Sequence, residues 1–133
     1  MAGERPAIRV VSAEIQRNGR YLITQRSARA VLPLLWEFPG GRVRDGESDE
    51  EALARAVSDR IGVRVAVQRR MLEVTHTYDA YSVTLAVYRC ALGEQEPWAA
   101  NVAALAWVAP EEFADYPFPG ADQRTVGLLL RDA

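Results

Sequence analysis

The chain has 133 residues, 49% of them hydrophobic and 26% charged, and its 16 Lys+Arg against 18 Asp+Glu give a net charge of −2. That length supports one domain, residues 1–133, whose core needs no disulfide or metal staple. The charge balance lacks the basic excess of a duplex nucleic-acid binder, so no duplex partner is expected, while a small anionic ligand in a local pocket stays open.

Met1–Pro6 lacks the apolar run of a signal peptide, and no stretch approaches the ~20 apolar residues of a membrane span. A cytoplasmic protein without membrane association is expected. Residues 7–16 alternate loosely and are β-branched, predicting a strand. Asn18-Gly19 is a two-residue hairpin signal, and Tyr21–Arg26 is the returning strand. A loop over 27–35 leads to Trp36-Glu-Phe-Pro-Gly-Gly41, where Pro39 and two glycines predict irregular backbone. Ser48–Ile61 predicts a helix: Ser48 is the N-cap, Glu51 completes a capping box, and Leu53, Val57 and Ile61 form an apolar stripe. Gly62 is placed to end it.

Residues 63–76 and 80–91 predict two long strands joined near Tyr78-Asp79, the second alternating through Tyr81, Val83, Leu85 and Val87. Cys90, in that run, is the only cysteine, which excludes an intrachain disulfide and a four-thiolate zinc site and predicts a buried, inert thiol. A loop over 93–101 carries Glu94 and Glu96. Ala103–Ala109 predicts a short strand, Pro110–Asp115 a helical turn with Pro at its first position, and Asp122 the cap of a final helix to about Arg131. Long alternating strands could present an edge to a homodimer, though no residue singles one out. His76, the only histidine, has no second His or Cys nearby and is read as structural.

Gly41, Glu47, Arg55, Val57, Gly62 and Val63 fall at the spacings of the Nudix box: Gly, five residues, Glu, seven residues, Arg-Glu-aliphatic-x-Glu-Glu-x-Gly-aliphatic. The flanking Trp36–Gly41, Leu22–Arg26, His76–Tyr78 with Val83–Leu85, and Phe118–Asp122 also resemble the MutT branch of that family. The likeness spans nearly the whole chain, which is far more specific than a lone motif. It implies an α/β fold, an α/β/α sandwich around a mixed sheet. It also implies a Mg²⁺- or Mn²⁺-dependent hydrolase of nucleoside di- or triphosphates, of a purine such as oxidised dGTP or of cytosine. In the family, three glutamates on one helix face hold the metal, which polarises phosphate and activates water.

Those three positions are Ala56, Asp59 and Arg60, with a summed charge of 0 − 1 + 1 = 0. Ala56 offers no ligand. At about 4 Å and an effective dielectric of about 20, each unit-charge pair between Arg60 and a cation is worth roughly 4 kcal/mol, and a divalent ion faces about double. A standard metal site is therefore not expected. Asp59 with Glu51 and Glu47, or the loop residues Glu94 and Glu96, are the remaining candidate ligands. Glu47, Arg55 and Asp59 are the candidate catalytic set, although the resemblance gives the Glu47–Arg55 pair a bracing role. Glu51–Arg55 and Arg55–Asp59 are i, i+4 pairs that also fit a solvated ion-pair ladder, the reading favoured for Glu50 and Glu51.

Arg26, Phe38 and Asp122 match positions that MutT-like proteins use around the base. Asp122, if ionised, accepts from an exocyclic amine or ring N–H, which suits guanine or cytosine; it can also serve as a helix cap. Arg60 can contact phosphate bidentately and supply charge that a metal would otherwise provide. A catalytically inactive domain for nucleotide recognition or protein interaction is the alternative, since the C-terminal domain of the adenine glycosylase MutY is similar in frame and lacks the box chemistry. The start at Met1 leads us to expect a free-standing protein and not part of a glycosylase.

Overall fold

The computed structural model describes residues 6–29 and 34–118. In chain order it contains β1 (Ala7–Arg17), β2 (Arg20–Gln25), β3 (Trp36–Glu37), β4 (Gly40–Arg42), α1 (Asp49–Ile61), β5 (Ala66–Thr77), β6 (Ser82–Ala91), β7 (Ala104–Val108) and a 3₁₀ turn (Pro110–Asp115). The strands run β3-β2-β1-β6-β5, with β4 also on β1 and β7 also on β2. β1 and β6 are parallel, from Ala7 opposite Ser82 to Ile15 opposite Cys90, and the other pairs are antiparallel. This is the expected mixed sheet with a helix packed on it. The final helix expected after Asp122 lies outside the described residues.

Asn18 and Gly19 both take positive φ, 54° and 76°, as the tight hairpin joining β1 to β2 demands. Beyond that turn the two strands pair only through Gln16–Tyr21 and Arg17–Arg20 and then diverge. Residues 36–42 fill the wedge: β3 pairs β2 and β4 pairs β1. The expectation of irregular backbone here is corrected. Only Phe38 and Pro39 fall outside a strand, and the Pro39 carbonyl accepts from the Ala13 N–H at 2.7 Å. The glycines permit this because β4 lies unusually close to β1. A Cβ on Gly40 would sit 2.0 Å from the Val11 carbonyl oxygen.

Along β1, side chains alternate between the two faces of the sheet. Val11, Ala13 and Ile15 pack beneath α1 with Leu22, Ala86 and Cys90, against Ala52, Leu53, Val57 and Ile61 of the helix. Burying side chains such as Leu53, Val57 and Ile61 stabilises by about 1.5–3 kcal/mol each. An aromatic cluster of Tyr21, Phe38, Phe113 and Phe118, with Ile23 and Val108, forms a second core. Cys90 is buried as expected, and burial pushes its thiol up to about 12, so it is unreactive near neutrality.

Both ends of α1 are tied. Ser48 Oγ accepts from Glu51 N–H at 3.1 Å, and Glu51 Oε1 accepts from Ser48 N–H at 2.9 Å, completing the capping box. Arg9 on β1 donates twice to Asp49, at 2.8 and 2.7 Å, anchoring the first turn to the sheet. At the other end Gly62 takes φ 69° and donates to Ser58 O. The last carbonyls, which a helix leaves without internal partners, are met by the loop preceding β7. Trp98 N–H donates to Ile61 O, Ala100 and Asn101 N–H to Arg60 O, and the Asn101 side-chain amide to Asp59 O.

Loss of the cap hydroxyl in Ser48→Ala is expected to cost about 1 kcal/mol in urea unfolding. Gly62→Ala should cost more, because the added methyl meets the Trp98 indole as well as left-handed strain. In a Trp98→Ala background Gly62→Ala should fall back to about 1–2 kcal/mol, the strain alone. Equal costs in both backgrounds would mean that Trp98 does not pack on this glycine.

Candidate functional site

The residues joining β4 to α1 are organised by one ion pair. Arg55 Nε donates to Glu47 Oε2 at 2.8 Å and Arg55 Nη2 to Glu47 Oε1 at 2.9 Å. Glu47 Oε1 also accepts from Arg44 N–H, and Arg55 Nη2 donates to the Arg42 carbonyl, each at 2.8 Å. The Arg55 hydrogen bonds, aided by that of Arg44, hold the Glu47 carboxyl down to about 2. This carboxylate is committed to the loop.

Next to Arg55 and about one turn beyond it along α1 lie the positions at which the sequence departs from the box. Ala56 is 1% exposed, and its methyl lies 3.0 Å from where a Cβ on Gly41 would stand. Asp59 is exposed, with Oδ1 3.4 Å from the Asn101 amide nitrogen. Arg60 is partly buried and turns back over β4, where Nη1 donates to the carbonyl of Gly40. A cleft of about 120 Å³ opens beside it, lined by Arg26, Ser27, Glu37, Arg60, Asn101 and Val102.

β2 and β3 supply the other wall of the cleft. Arg26 Nη1 donates to Glu37 at 3.1 Å, while Arg26 Nε is buried without a hydrogen-bond partner. Burial pushes the Glu37 carboxyl above its ordinary range, against the pull of Arg26 and Arg60. Both Glu37 and Asn101 went unremarked in the sequence. Strand alternation held a clue to the first, since Glu37 lies between Trp36 and Phe38 and must face away from both. Asn101 carries no local signal, because capping of α1 by the 98–101 backbone is what brings it to the cleft.

The sequence-derived site is thus only partly assembled. Arg26 and Arg60 share the cleft. Phe38 does not join them; it is 1% exposed and stacks on Phe118 at 5.5 Å in the aromatic core, so its ring offers no free face to a base. Asp122 lies outside the described residues. The grouping of Asp59 with Glu51 and Glu47 as metal ligands is also corrected. Eight helical residues separate Glu51 from Asp59 by about 12 Å, Glu51 is engaged in the capping box, and Glu47 is held by Arg55. Of the loop acids, Glu96 pairs with Arg17 at 2.8 Å, and Glu94 is exposed. His76 packs against the Tyr78 ring at 4.5 Å.

Among the described residues no group of three or more His, Cys, Asp or Glu is placed to hold a metal ion. The donor set on α1 does not fit a divalent cation: one position is a buried methyl, and one is a guanidinium already bound to the Gly40 carbonyl. What the cleft offers is two guanidinium groups beside one carboxyl, an arrangement suited to an anionic ligand.

The family model described as NUDIX domain matches residues 10–127. The chain is 32% identical over 115 residues to the CTP pyrophosphohydrolase of Escherichia coli (strain K12), covering 86% of this chain and 85% of that protein. It is 25% identical over 114 residues to the 8-oxo-dGTP diphosphatase of the same organism, covering 86% and 88%. The crystal structure of the MutT protein from Methanosarcina mazei Go1 superposes with a TM-score of 0.86 at 22% identity, over 97% of this chain and 96% of that one. This last likeness is one of fold.

The Glu47–Arg55 pair gives the fold an acid limit. With the folded pKa at about 2, below the ordinary 4.5, its stabilisation is fully present above 4.5 and is lost as pH falls through about 2. Glu47→Gln should therefore lower stability at neutral pH and make its decline between 4.5 and 2 shallower than in wild type, read as urea midpoints across that window. Parallel pH curves for the two proteins would contradict this.

Proposed function

The chain belongs to the NUDIX domain family, and on that premise we propose that it binds a nucleoside di- or triphosphate with impaired metal-dependent pyrophosphohydrolase chemistry. Relatives named for CTP and for 8-oxo-dGTP favour a cytosine nucleotide or an oxidised purine nucleotide. An acceptor-only carboxylate at Asp122 suits either base, since both present N–H donors.

The observation that carries this reading is the Arg60 guanidinium on the Gly40 carbonyl beside buried Ala56. A carboxylate triad on this helix face would bring charge −3; this face carries zero. Asp59 is the one carboxylate among the three positions. Arg26, steadied by Glu37, and Arg60 are the residues proposed to hold the anionic end of the ligand. Glu47 and Arg55 keep the β4–α1 loop in shape and are assigned no proton transfer. At about 120 Å³ the cleft is smaller than the ~300–1,000 Å³ of sites that enclose a drug-sized ligand. It is sized for one polar end of a nucleotide, with the remainder lying outside it.

Turnover of CTP, dGTP and 8-oxo-dGTP with Mg²⁺ or Mn²⁺ tests the proposal. Wild type should be slow, and Ala56→Glu/Arg60→Glu, which places three acids on one helix face with Asp59, should be faster by about tenfold or more. Fast wild-type turnover abolished by Asp59→Ala would sink the impaired-chemistry reading.

A further inference from the structure

Five described arginines besides Arg60 are partly buried, namely Arg9, Arg17, Arg26, Arg55 and Arg89, and each is paired with a carboxylate. Arg60 is the exception. Among the described residues its side chain hydrogen-bonds the Gly40 carbonyl, a neutral acceptor satisfying one of the five N–H groups of a guanidinium. A partly desolvated cation whose one nearby carboxyl, Glu37, is hydrogen-bonded to another guanidinium is incompletely compensated, and that is costly. Where that cation lines a cleft, an anion entering the cleft removes the cost and gains the hydrogen bonds. A second cation lines the same cleft: Arg26 spends Nη1 on Glu37 and leaves Nε buried and unpartnered.

Charge and size point the same way. Two guanidiniums against one carboxyl leave the cleft at net +1 with Glu37 ionised, and burial drives Glu37 toward its neutral form. The cavity of about 120 Å³ has room for several waters or a compact polar group. A phosphate group fits this description. It is compact and anionic, and it accepts from a guanidinium through two oxygens at once.

We propose that Arg60 is a built-in cation in the place of the family's divalent metal, and that with Arg26 it makes the cleft a metal-independent phosphate subsite. The inference rests on the nucleotide-binding reading above and adds to it the source of the positive charge. Pinning to Gly40 matters because it fixes a long side chain before the ligand arrives, so less conformational freedom is lost on binding. Because the guanidinium already carries the charge, added Mg²⁺ brings no further attraction to the subsite.

The test is calorimetric titration of CTP and 8-oxo-dGTP, each in EDTA and in Mg²⁺, with inorganic phosphate as competitor. Dissociation constants should agree within about threefold between the two buffers, inorganic phosphate should compete in EDTA, and the monophosphates should bind in EDTA as well. Arg60→Gln keeps an N–H for Gly40 while removing the charge, and should weaken binding about tenfold or more in both buffers. Arg60→Lys, which restores the charge without the fork, should recover part of the loss. Unfolding midpoints near wild type would show that neither variant acts through the fold; if Arg60→Gln fails to fold, the EDTA comparison in wild type and the phosphate competition still decide. Binding that requires Mg²⁺, failure of phosphate to compete, or unchanged affinity in folded Arg60→Gln would each overturn the role of Arg60 and leave the nucleotide reading standing. No nucleotide binding in either buffer would overturn both.

Discussion

The backbone of Gly40 passes so close to β1 that no side chain larger than hydrogen fits there, a Cβ being 2.0 Å from the Val11 carbonyl oxygen. That approach allows the segment 36–42 to fill the wedge where β1 and β2 separate, pairing one strand through β3 and the other through β4. Several consequences follow from this wedge. Phe38 is turned into the aromatic core, Glu37 is turned toward Arg26, and the Gly40 carbonyl is left where the last turn of α1 can reach it. A Gly40→Ala change would therefore disturb the sheet and the cleft together.

The basic side chains are all arginine, and much of the tertiary structure is organised by their forked hydrogen bonds. Arg9 anchors the start of α1 through Asp49, Arg55 braces the β4–α1 loop through Glu47, and Arg89 reaches the fully buried carboxylate of Glu14 on the adjacent strand. Glu14 keeps one oxygen without a hydrogen-bond partner, and nothing else in the described residues accounts for its burial. Against this pattern of paired guanidiniums, Arg60 stands out by having a neutral partner.

The 98–101 loop links structure to site more directly than its sequence suggests. By capping the Asp59, Arg60 and Ile61 carbonyls it ends the helix, covers Gly62 with Trp98 and delivers Asn101 to the cleft. The last turn of α1 is thus held from two sides, by this loop through its backbone and by β4 through the Arg60 side chain. A loop substitution that loosened the cap would therefore move Asp59 and Arg60 as a unit.

Sequence alone determined the features that depend on local spacing. The Asn18-Gly19 turn, the Ser48–Glu51 capping box, the Leu53–Val57–Ile61 stripe and the Gly62 stop each involve groups within a few residues of one another, where propensity and geometry are fixed by the chain itself. The charge change at Ala56, Asp59 and Arg60 was equally legible, since helix periodicity places those positions on one face. Tertiary structure decided what those residues touch. Phe38 is core because Phe113 and Phe118 arrive from far along the chain, and Glu37 and Asn101 meet Arg60 only after the sheet and the loop have closed around it. Such contacts join residues 23 to 80 positions apart, beyond the reach of any local pattern.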